Sequence, residues 1–452
     1  MANELGKDKI SARGGGSVER HRKIALLHHT GCGNLGDDAI IDAVVDNVRR
    51  RRPASKIVVF SMNPDDTVKR HGIQSFPVRR YEWESSAEPI TESHPIQSRF
   101  ARWLATTRNP AIRLPRATWG EIRWLVESYQ RLRTFELLIV SGGGQLTERG
   151  GPWSFPYALF VWSLMAKMAE VRLMFCNVGA GPLNHPLSKW FIVRALRAAS
   201  YVSFRNKESQ DLAASLGFTD RSYVFPDNAY SLDVASPSPS RKEMRSVTVG
   251  VAPMPFPFSD LLTIPGDADA IENELIDKLA TFTRLLIRQA YSVTLFGSDV
   301  KADPPVVKEV SQRLLSRHDI SVPSIAPSES VSELLSEMSK MDCVVTCRFH
   351  GVVFAHLLNK PVLAIAHHPK VTQLMNALGL SEYCVDMRTF DPVRLVDKFA
   401  SLVVSTEAVK ERMARNLIEY RSQLAAQWDA LFPTRPYALR IDEESQITEV
   451  AP

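Results

Sequence analysis

The sequence KIALLHHTGCGNLGDDAIIDAVVDNVRR, residues 23–50, contains the pattern from which the fold class follows. It begins with a short apolar run, KIALLHHT, which ends at a glycine turn and is typical of a buried β-strand. The apolar side chains that follow recur at helical spacing and form one face: Ile40, Ile41, Val44, Val45 and Val48. A strand, a glycine-rich turn and an amphipathic helix in this order predict the start of a parallel α/β sheet.

The same alternation continues along most of the chain. Apolar runs separated by helix-like segments follow as KIVVFSM, ELLIV, VRLMFCNV, YVSFR and SYVFP. The pattern restarts after residue 245 with SVTVGVAP, SVTLFGS, CVVTCRFH, PVLAIAHH and YCVDM, and a long amphipathic stretch covers about 391–431. Such alternation predicts parallel sheets with helices on both faces. We therefore predict an α/β protein with two Rossmann-like domains that face each other across a cleft.

The boundary between the two halves is ASPSPSRKEMR, which is rich in Pro, Ser and charged residues and lacks apolar periodicity. Such a composition predicts a linker between domains. The predicted organisation is a flexible N-terminal arm (1–22), an N-terminal Rossmann-like domain (23–235) with a basic insert at about 84–133, a linker (236–245), a C-terminal Rossmann-like domain (246–432) and a polar tail (433–452).

The composition excludes several classes of protein. Hydrophobic residues make up 44% and charged residues 23% of the chain, which is enough apolar material for a large core. No apolar run approaches the ~18 residues that a membrane-spanning helix needs, and the first residues lack the apolar segment of a signal peptide. We therefore expect a cytoplasmic protein. The five cysteines are scattered and odd in number, so they imply no disulfide framework.

Small or polar residues follow the strands of the predicted N-terminal domain. The first strand runs into GCGNLGDD, which contains Asn34 and Asp37, and ELLIV is followed by a run of three glycines, Gly142, Gly143 and Gly144. Arg205 ends a later strand. Ligands of open parallel sheets bind beyond the carboxyl ends of the strands, so we predict a ligand site at this edge. The glycine spacing matches neither a dinucleotide-binding motif nor a P-loop.

The second domain contributes the cluster TCRFHG. Arg348 and His350 lie two residues apart on the predicted strand CVVTCRFH and therefore point the same way. Gly351 is predicted to begin a helix whose N-terminus adds a positive dipole. A guanidinium, an imidazole and a helix N-terminus together predict an anion site with a proton donor. The alternative is an arginine in a surface ion pair and a histidine whose ring is satisfied within the core.

Together these segments resemble the polysaccharide pyruvyl transferase family. GNLGDD, SGGGQL, NVGAGPL, VSFRNKES, PDNA and RFHG occur in the family's motif order, from about Ile24 to Leu380. The resemblance implies a fold similar to that of the GT-B glycosyltransferases. It also implies transfer of a pyruvyl group from phosphoenolpyruvate to a sugar, with formation of a cyclic ketal. The basic positions of the family that bind the donor and catalyse the reaction would fall on Arg205, Arg348 and His350.

The chemistry of the donor agrees with that resemblance. Phosphoenolpyruvate carries a carboxylate and a phosphate, which require two cationic or amide-lined subsites, and Arg205 and Arg348 are expected to clamp it across the cleft. Asn34 and the glycines at 142–144 are expected to line the donor subsite. We predict that His350 is the general acid that protonates the methylene carbon, and Asp37 is a candidate for the base, whose identity the sequence leaves open. We expect no cofactor and no metal, and the acceptor-binding residues are not predicted.

The predicted partners are phosphoenolpyruvate and a saccharide acceptor, which in such pathways is often lipid-linked. Residues 97–133 hold eight arginines and only two acids, interleaved with tryptophans, a pattern of peripheral membrane contact. The alternative is a solvated insert, and we expect no contact with nucleic acid. Two other functions remain open: a nucleotide-sugar-dependent GT-B glycosyltransferase, and a non-catalytic glycan-binding relative.

Overall fold

The computed structural model describes residues 23–80, 110–148, 150–234, 246–256, 268–315 and 323–433. Within these ranges the strands form two parallel sheets, one of seven strands and one of six, with helices on their faces. The two sheets match the predicted α/β architecture. The predicted arm at 1–22, the linker at 236–245 and residues 434–452 of the tail lie outside the described residues.

The first lobe is a doubly wound sheet. Its strands are β1 (Lys23–Leu27), β2 (Lys56–Ser61), β3 (Ser75–Pro77), β4 (Leu137–Ser141), β5 (Arg172–Val178), β6 (Tyr201–Phe204) and β7 (Tyr223–Val224). Its helices are α1 (Leu35–Arg51), α2 (Pro64–His71), α3 (Pro110–Leu132), α4 (Phe155–Met168), α5 (Pro186–Arg197) and α6 (Lys207–Ser215), followed by a 3₁₀ turn at Asn228–Ser231. The order β3-β2-β1-β4-β5-β6-β7 reverses between β1 and β4, so the loop after β1 lies at the point where such sheets bind ligands.

The second lobe repeats the plan. Its strands are β8 (Thr248–Ala252), β9 (Ser292–Leu295), β10 (Ser324–Ile325), β11 (Cys343–Thr346), β12 (Val362–Ala366) and β13 (Cys384–Asp386). Its helices are α7 (Ala268–Arg288), α8 (Asp303–Leu315), α9 (Val331–Ser339), α10 (Phe349–Leu357), α11 (Pro369–Ala377), α12 (Pro392–Val404) and α13 (Thr406–Leu431). The order β10-β9-β8-β11-β12-β13 reverses between β8 and β11.

Two hydrophobic cores hold these layers together. One lies between the first sheet and the helices of its outer face, and includes Leu138, Trp162 and Leu196. The other begins under α1, with Ile40, and continues without a break into the second lobe as far as Phe354. Because this second core is shared, the lobes are packed against each other along α1 rather than joined only by the linker.

The last helix, α13, packs back onto the first lobe. The Arg51 guanidinium donates to Asp429 at 2.7 Å, and Trp428 is fully buried. The Gln427 amide joins a buried network with Asn177 and Ser203 on the first sheet, with N···O distances of 2.7 and 3.0 Å. The C-terminal part of the chain therefore completes the core of the N-terminal lobe.

The strand predicted for CVVTCRFH is shorter than expected. β11 ends at Thr346, and α10 begins at Phe349 with Arg348 as its N-cap. The Thr346 hydroxyl accepts from the Arg348 amide at 3.2 Å and turns the chain before the helix. The prediction that Arg348 and His350 share one face of a strand was wrong, because His350 lies in the first turn of a helix.

Candidate active site

The loop after β1 connects the two lobes and fixes the N-terminus of α1. The Asn34 side chain caps this helix, since its Oδ1 accepts from the Gly36 amide at 2.9 Å. The next amide, that of Leu35, donates to the Ser298 carbonyl of the second lobe at 3.0 Å. Asn34 was expected to line the donor subsite. In the structure its side chain caps α1 and so fixes the position of that helix.

Two acids in the first turn of α1 have different surroundings. The Asp38 carboxylate is held by the Thr30 hydroxyl at 2.7 Å and lies 3.7 Å from Arg70. Asp37 faces the cleft side, and burial, followed by the nearby charge of Asp38, raises its pKa to about 7. A carboxyl group with a pKa near neutrality is suited to proton transfer at ordinary pH, which agrees with the predicted role of Asp37.

We expect the substitution Asp37→Asn to stabilise the protein, and to do so more at pH 8 than at pH 5. The fold raises the pKa of Asp37 from 3.8 to about 7, so the stability that the neutral carboxyl contributes is lost as the pH rises through that range. An amide avoids this loss, which is at most ~1.4 kcal/mol per pKa unit. Urea denaturation at both pH values measures the difference. An equal free energy of unfolding at pH 8 would contradict a buried, crowded carboxyl group.

The glycine run after β4 forms a surface of the site. Gly143 has a φ of +67°, and a Cβ there would lie 3.3 Å from both Asp37 Oδ1 and His28 Nε2. The ring of His28 is fully buried, neither of its nitrogens has a hydrogen-bond partner within the described ranges, and burial holds its pKa well below the usual value. A Cβ on Gly144 would meet nothing within 4 Å, so this residue borders open space. The glycines therefore let a ligand approach the backbone.

His350 enters the site from the second lobe. Its ring packs directly against Gly36, where a Cβ would overlap the imidazole. The side chain is about nine-tenths buried, and Nε2, which lies 3.9 Å from Asp227 Oδ2, has no hydrogen-bond partner among the described residues. Burial lowers the pKa of His350 to about 4, with smaller contributions from Arg205 and other cations. The imidazole is therefore neutral at ordinary pH.

Arg205 approaches the Asp227 carboxylate from the first lobe. Its Nη1 lies 3.6 Å from Asp227 Oδ2, and its guanidinium stacks on the ring of Phe349 at 4.5 Å. A Cβ on Gly179 would overlap the guanidinium, so the glycine leaves room for it. Asp227 Oδ2 has no hydrogen bond of its own. Arg205 and His350 thus meet across the lobe boundary at one buried carboxylate.

A second cation of the site was missed in the sequence. Lys370 lies in the first turn of α11, which His368 caps by accepting from the Lys370 amide at 3.2 Å. Its charge acts on both Asp37 and His350, lowering the pKa of each. The signal was available, because Lys370 follows a strand at the same carboxyl edge.

Arg348 is turned away from this cluster. Its Nε donates to both carboxylate oxygens of Asp303, at 2.9 and 3.0 Å, and Asp299 lies 3.7 Å from Nη2. Asp303 is fully buried and also accepts from the Ser298 amide at 2.8 Å. The structure therefore places Arg348 in an ion pair, as in the alternative, but with a buried carboxylate rather than at the surface, where it supports the loop that meets Asn34.

A family profile described as polysaccharide pyruvyl transferase matches residues 34–369. The chain belongs to the polysaccharide pyruvyl transferase family. It is therefore a transferase, and the resemblance inferred from GNLGDD and RFHG is confirmed. No curated protein matches the sequence significantly.

Solved structures similar to this chain share its two-lobed fold. HepE of Anabaena, in a complex with UDP, has a TM-score of 0.53 at 15% identity and covers 90% of this chain and 100% of its own. MnaA of S. aureus, also with UDP, has a TM-score of 0.52 at 14% identity, with coverages of 90% and 94%. A putative UDP-N-acetylglucosamine 2-epimerase of Listeria monocytogenes has a TM-score of 0.54 at 13% identity, with coverages of 91% and 97%. At these identities the likeness concerns the fold, and it confirms the predicted GT-B architecture.

The structure thus brings together a part of the predicted set. Arg205 and His350 meet at Asp227, Asp37 lies next to Gly143, and Lys370 adds a positive charge that acts on both Asp37 and His350. The pKa values of the two acid–base groups are shifted in opposite directions, upward to about 7 for Asp37 and downward to about 4 for His350. Such a pair of groups, next to two cations, is able to bind an anion and move protons on and off it.

Proposed function

We propose that this pyruvyl transferase takes its pyruvyl group from phosphoenolpyruvate and forms a cyclic ketal on a saccharide. The observation that carries the proposal is that Arg205 and His350 approach Asp227 from the two lobes. The positive charge of Lys370 acts on His350 at the same place. A small donor with a carboxylate and a phosphate requires two cations close together, and Arg205 and Lys370 supply them. A guanidinium suits the planar carboxylate, and an ammonium suits the phosphate as a point charge.

The reaction balances without an added reactant. A proton adds to the methylene carbon of the donor, which becomes a methyl group, and the neighbouring carbon becomes electrophilic. One sugar hydroxyl adds to that carbon and loses its proton, and the C–O bond to phosphate breaks. A second hydroxyl of the same sugar then closes the ring and loses its proton. The products are the ketal and inorganic phosphate, which keeps the second proton.

The position of the two groups, rather than their pKa values, assigns the work to them, because a bound anion favours the protonated form of both His350 and Asp37. In the proposed order, the donor's negative charges favour protonated His350, which gives its proton to the methylene carbon. The ionised form of Asp37, which is populated near its pKa of about 7, accepts the proton of the attacking hydroxyl. Gly143 and Gly144 let the donor approach the backbone. Exclusion of water from this buried cluster of residues protects the electrophilic carbon from hydrolysis.

Phosphoenolpyruvate should raise the melting temperature of the purified protein in the absence of an acceptor. A ligand that contacts Arg205 of one lobe and Lys370 of the other binds only the folded state, and a hundredfold excess over Kd stabilises by ~2.7 kcal/mol. Differential scanning fluorimetry measures the shift, with Arg205→Ala as the matched control that should lose it.

Product analysis completes the test. With a saccharide acceptor, phosphate release and a pyruvate ketal seen by NMR are expected to appear together. If UDP-sugars stabilise the protein and phosphoenolpyruvate at millimolar concentration does not, the donor is a sugar nucleotide and the proposal fails. If neither donor is turned over or bound, a non-catalytic glycan-binding role replaces both.

A further inference from the structure

The outer face of the first lobe carries exposed aromatic and apolar side chains on three neighbouring helices. We call it the aromatic face. On α3 and α4 and in the loop before α4, the exposed members are Trp119 (72%), Ile122, Val126, Trp153 (61%), Leu164 and Met168, and α5 adds Trp190 (46%). Single exposed apolar residues are ordinary on a protein surface, but a group of this size, with three tryptophans, marks an interaction site.

Contacts between the helices show that these residues form one surface. Trp153 and Trp190 both touch the ring of Phe191, with centroid distances of 5.8 and 5.4 Å. On the side of α3, the Tyr129 hydroxyl donates to the Met168 carbonyl of α4 at 3.4 Å. The Arg79 side chain, which donates to the Trp153 carbonyl, also interacts electrostatically with Glu121 of α3. The three helices are therefore packed side by side with their exposed residues outward.

The charge around the aromatic face is positive. Neither α4 nor α5 contains an acidic residue, whereas together they carry Lys167, Lys189, Arg194 and Arg197. The Arg194 guanidinium stacks on Trp190 at 5.6 Å. On α3 there are two acids: Glu127 is paired with Arg123 at 2.8 Å, and Glu121 interacts with Arg79. Tryptophan beside arginine and lysine is the composition of surfaces that lie at the boundary between water and anionic lipid headgroups.

We propose that the aromatic face docks on the surface of an anionic bilayer. The tryptophans enter the headgroup region, since an indole has an apolar body and a polar N–H, and the basic side chains pair with lipid phosphates. None of the described helices is long and apolar enough to cross a membrane, so the contact is peripheral. The aromatic face extends beyond the basic segment 97–133, because α4, α5 and the loop before α4 contribute four of its seven exposed members. Residues 97–109 of that segment lie outside the described part.

The position of the face relative to the cleft gives the docking a purpose. Trp153 and Trp190 lie near the N-termini of α4 and α5, at the carboxyl edge of the sheet where the site is found. The ring of Phe155, which begins α4, stacks on His29 at 3.7 Å, directly after His28 of the site. A docked protein would thus hold the rim of its cleft close to lipid headgroups. Docking would bring the cleft close to a saccharide acceptor that is carried by a lipid. This purpose rests on the proposed function, whereas the docking itself does not.

Flotation with vesicles tests the docking without any substrate. The full chain should float with vesicles of phosphatidylcholine and phosphatidylglycerol at low salt, and less at high salt or with phosphatidylcholine alone. The triple variant Trp119→Ser/Trp153→Ser/Trp190→Ser should weaken binding by about tenfold or more, with an unchanged melting temperature. The matched control is Val393→Ser/Val404→Ser/Ile418→Ser, which removes exposed apolar groups of α12 and α13 and should float like the original protein.

The proposal is overturned if the protein stays unbound to the anionic vesicles at low salt, or if both triple variants bind them equally well. Light scattering tests the competing occupant, a second copy of the chain. If the protein forms a dimer that only the tryptophan variant disrupts, the aromatic face is a subunit interface, and the membrane proposal falls. Phosphate release from phosphoenolpyruvate is measured separately in the absence of vesicles, so failure of one proposal leaves the other in place.

Discussion

Turnover falls by about 10²–10⁴-fold when His350 is replaced by alanine, if the imidazole is the group that protonates the donor. The ring is buried, and Nε2 is free of hydrogen bonds, so it has no competing structural partner at that atom. The free energy of unfolding should change far less than the activity. Steady-state kinetics with phosphoenolpyruvate and acceptor measures the loss, and isothermal titration of the donor shows whether binding survives.

The substitution His350→Gln separates proton transfer from positioning. Glutamine keeps a polar group near the same place but cannot carry a proton at ordinary pH. If His350 acts as the acid, the glutamine variant is as inactive as the alanine variant, and the fall of kcat at high pH is lost with it. Recovery of most of the activity with glutamine would leave His350 only a positioning role.

Gly36 offers an independent check on the position of His350. The imidazole ring can lie where it does only because Gly36 has no side chain. A methyl group there overlaps the imidazole, so Gly36→Ala should displace His350 and lower turnover strongly. In the His350→Ala background the same change should cost little more, since the space is then empty. Additive losses would show that Gly36 acts on something other than the position of the ring.

The largest expected loss of stability belongs to Arg348→Ala. Removing this guanidinium leaves the fully buried Asp303 carboxylate without its ion pair, which costs ~3–5 kcal/mol. Urea denaturation measures this loss. The double variant Arg348→Ala/Asp303→Ala should recover part of it, because no unpaired charge then stays in the core.

Arg205→Ala is the contrasting variant. Arg205 stacks on Phe349 and faces Asp227, within the site, so its loss should weaken donor binding more than it lowers stability. The sequence assigned the two arginines the same task on the donor. Equal stability of Arg348→Ala and the original protein, together with a loss of donor affinity, would return Arg348 to the donor subsite.

The fold followed from the sequence because its signals are local. The apolar run of residues 23–30 and the helical spacing after Gly36 are properties of neighbouring residues, and they repeat in both halves of the chain. The rule that the carboxyl ends of parallel strands lie together also predicted that Arg205, His350 and Asp37 would be close to one another, as they are in the structure.

What the sequence did not supply depends on contacts between distant residues. The orientation of Arg348 is fixed by Asp303, which is 45 positions earlier and has no motif of its own. The role of Asp227 becomes visible only when Arg205 and His350 approach it from different lobes. The aromatic face was foreseen only for the segment that carries the dense run of arginines, since Trp153 and Trp190 belong to other helices.

The return of α13 to the first lobe has a consequence for the order in which the protein is made. Asn177 leaves the ribosome 250 residues before Gln427, the residue to which it is hydrogen-bonded in the finished core. Until α13 is synthesised, the N-terminal lobe therefore lacks the Gln427 amide and the Trp428 indole that fill this part of its core. Over that time it exposes the surface that Trp428 later covers. Completion of the first lobe, and with it the alignment of its half of the cleft, waits until α13 has been synthesised.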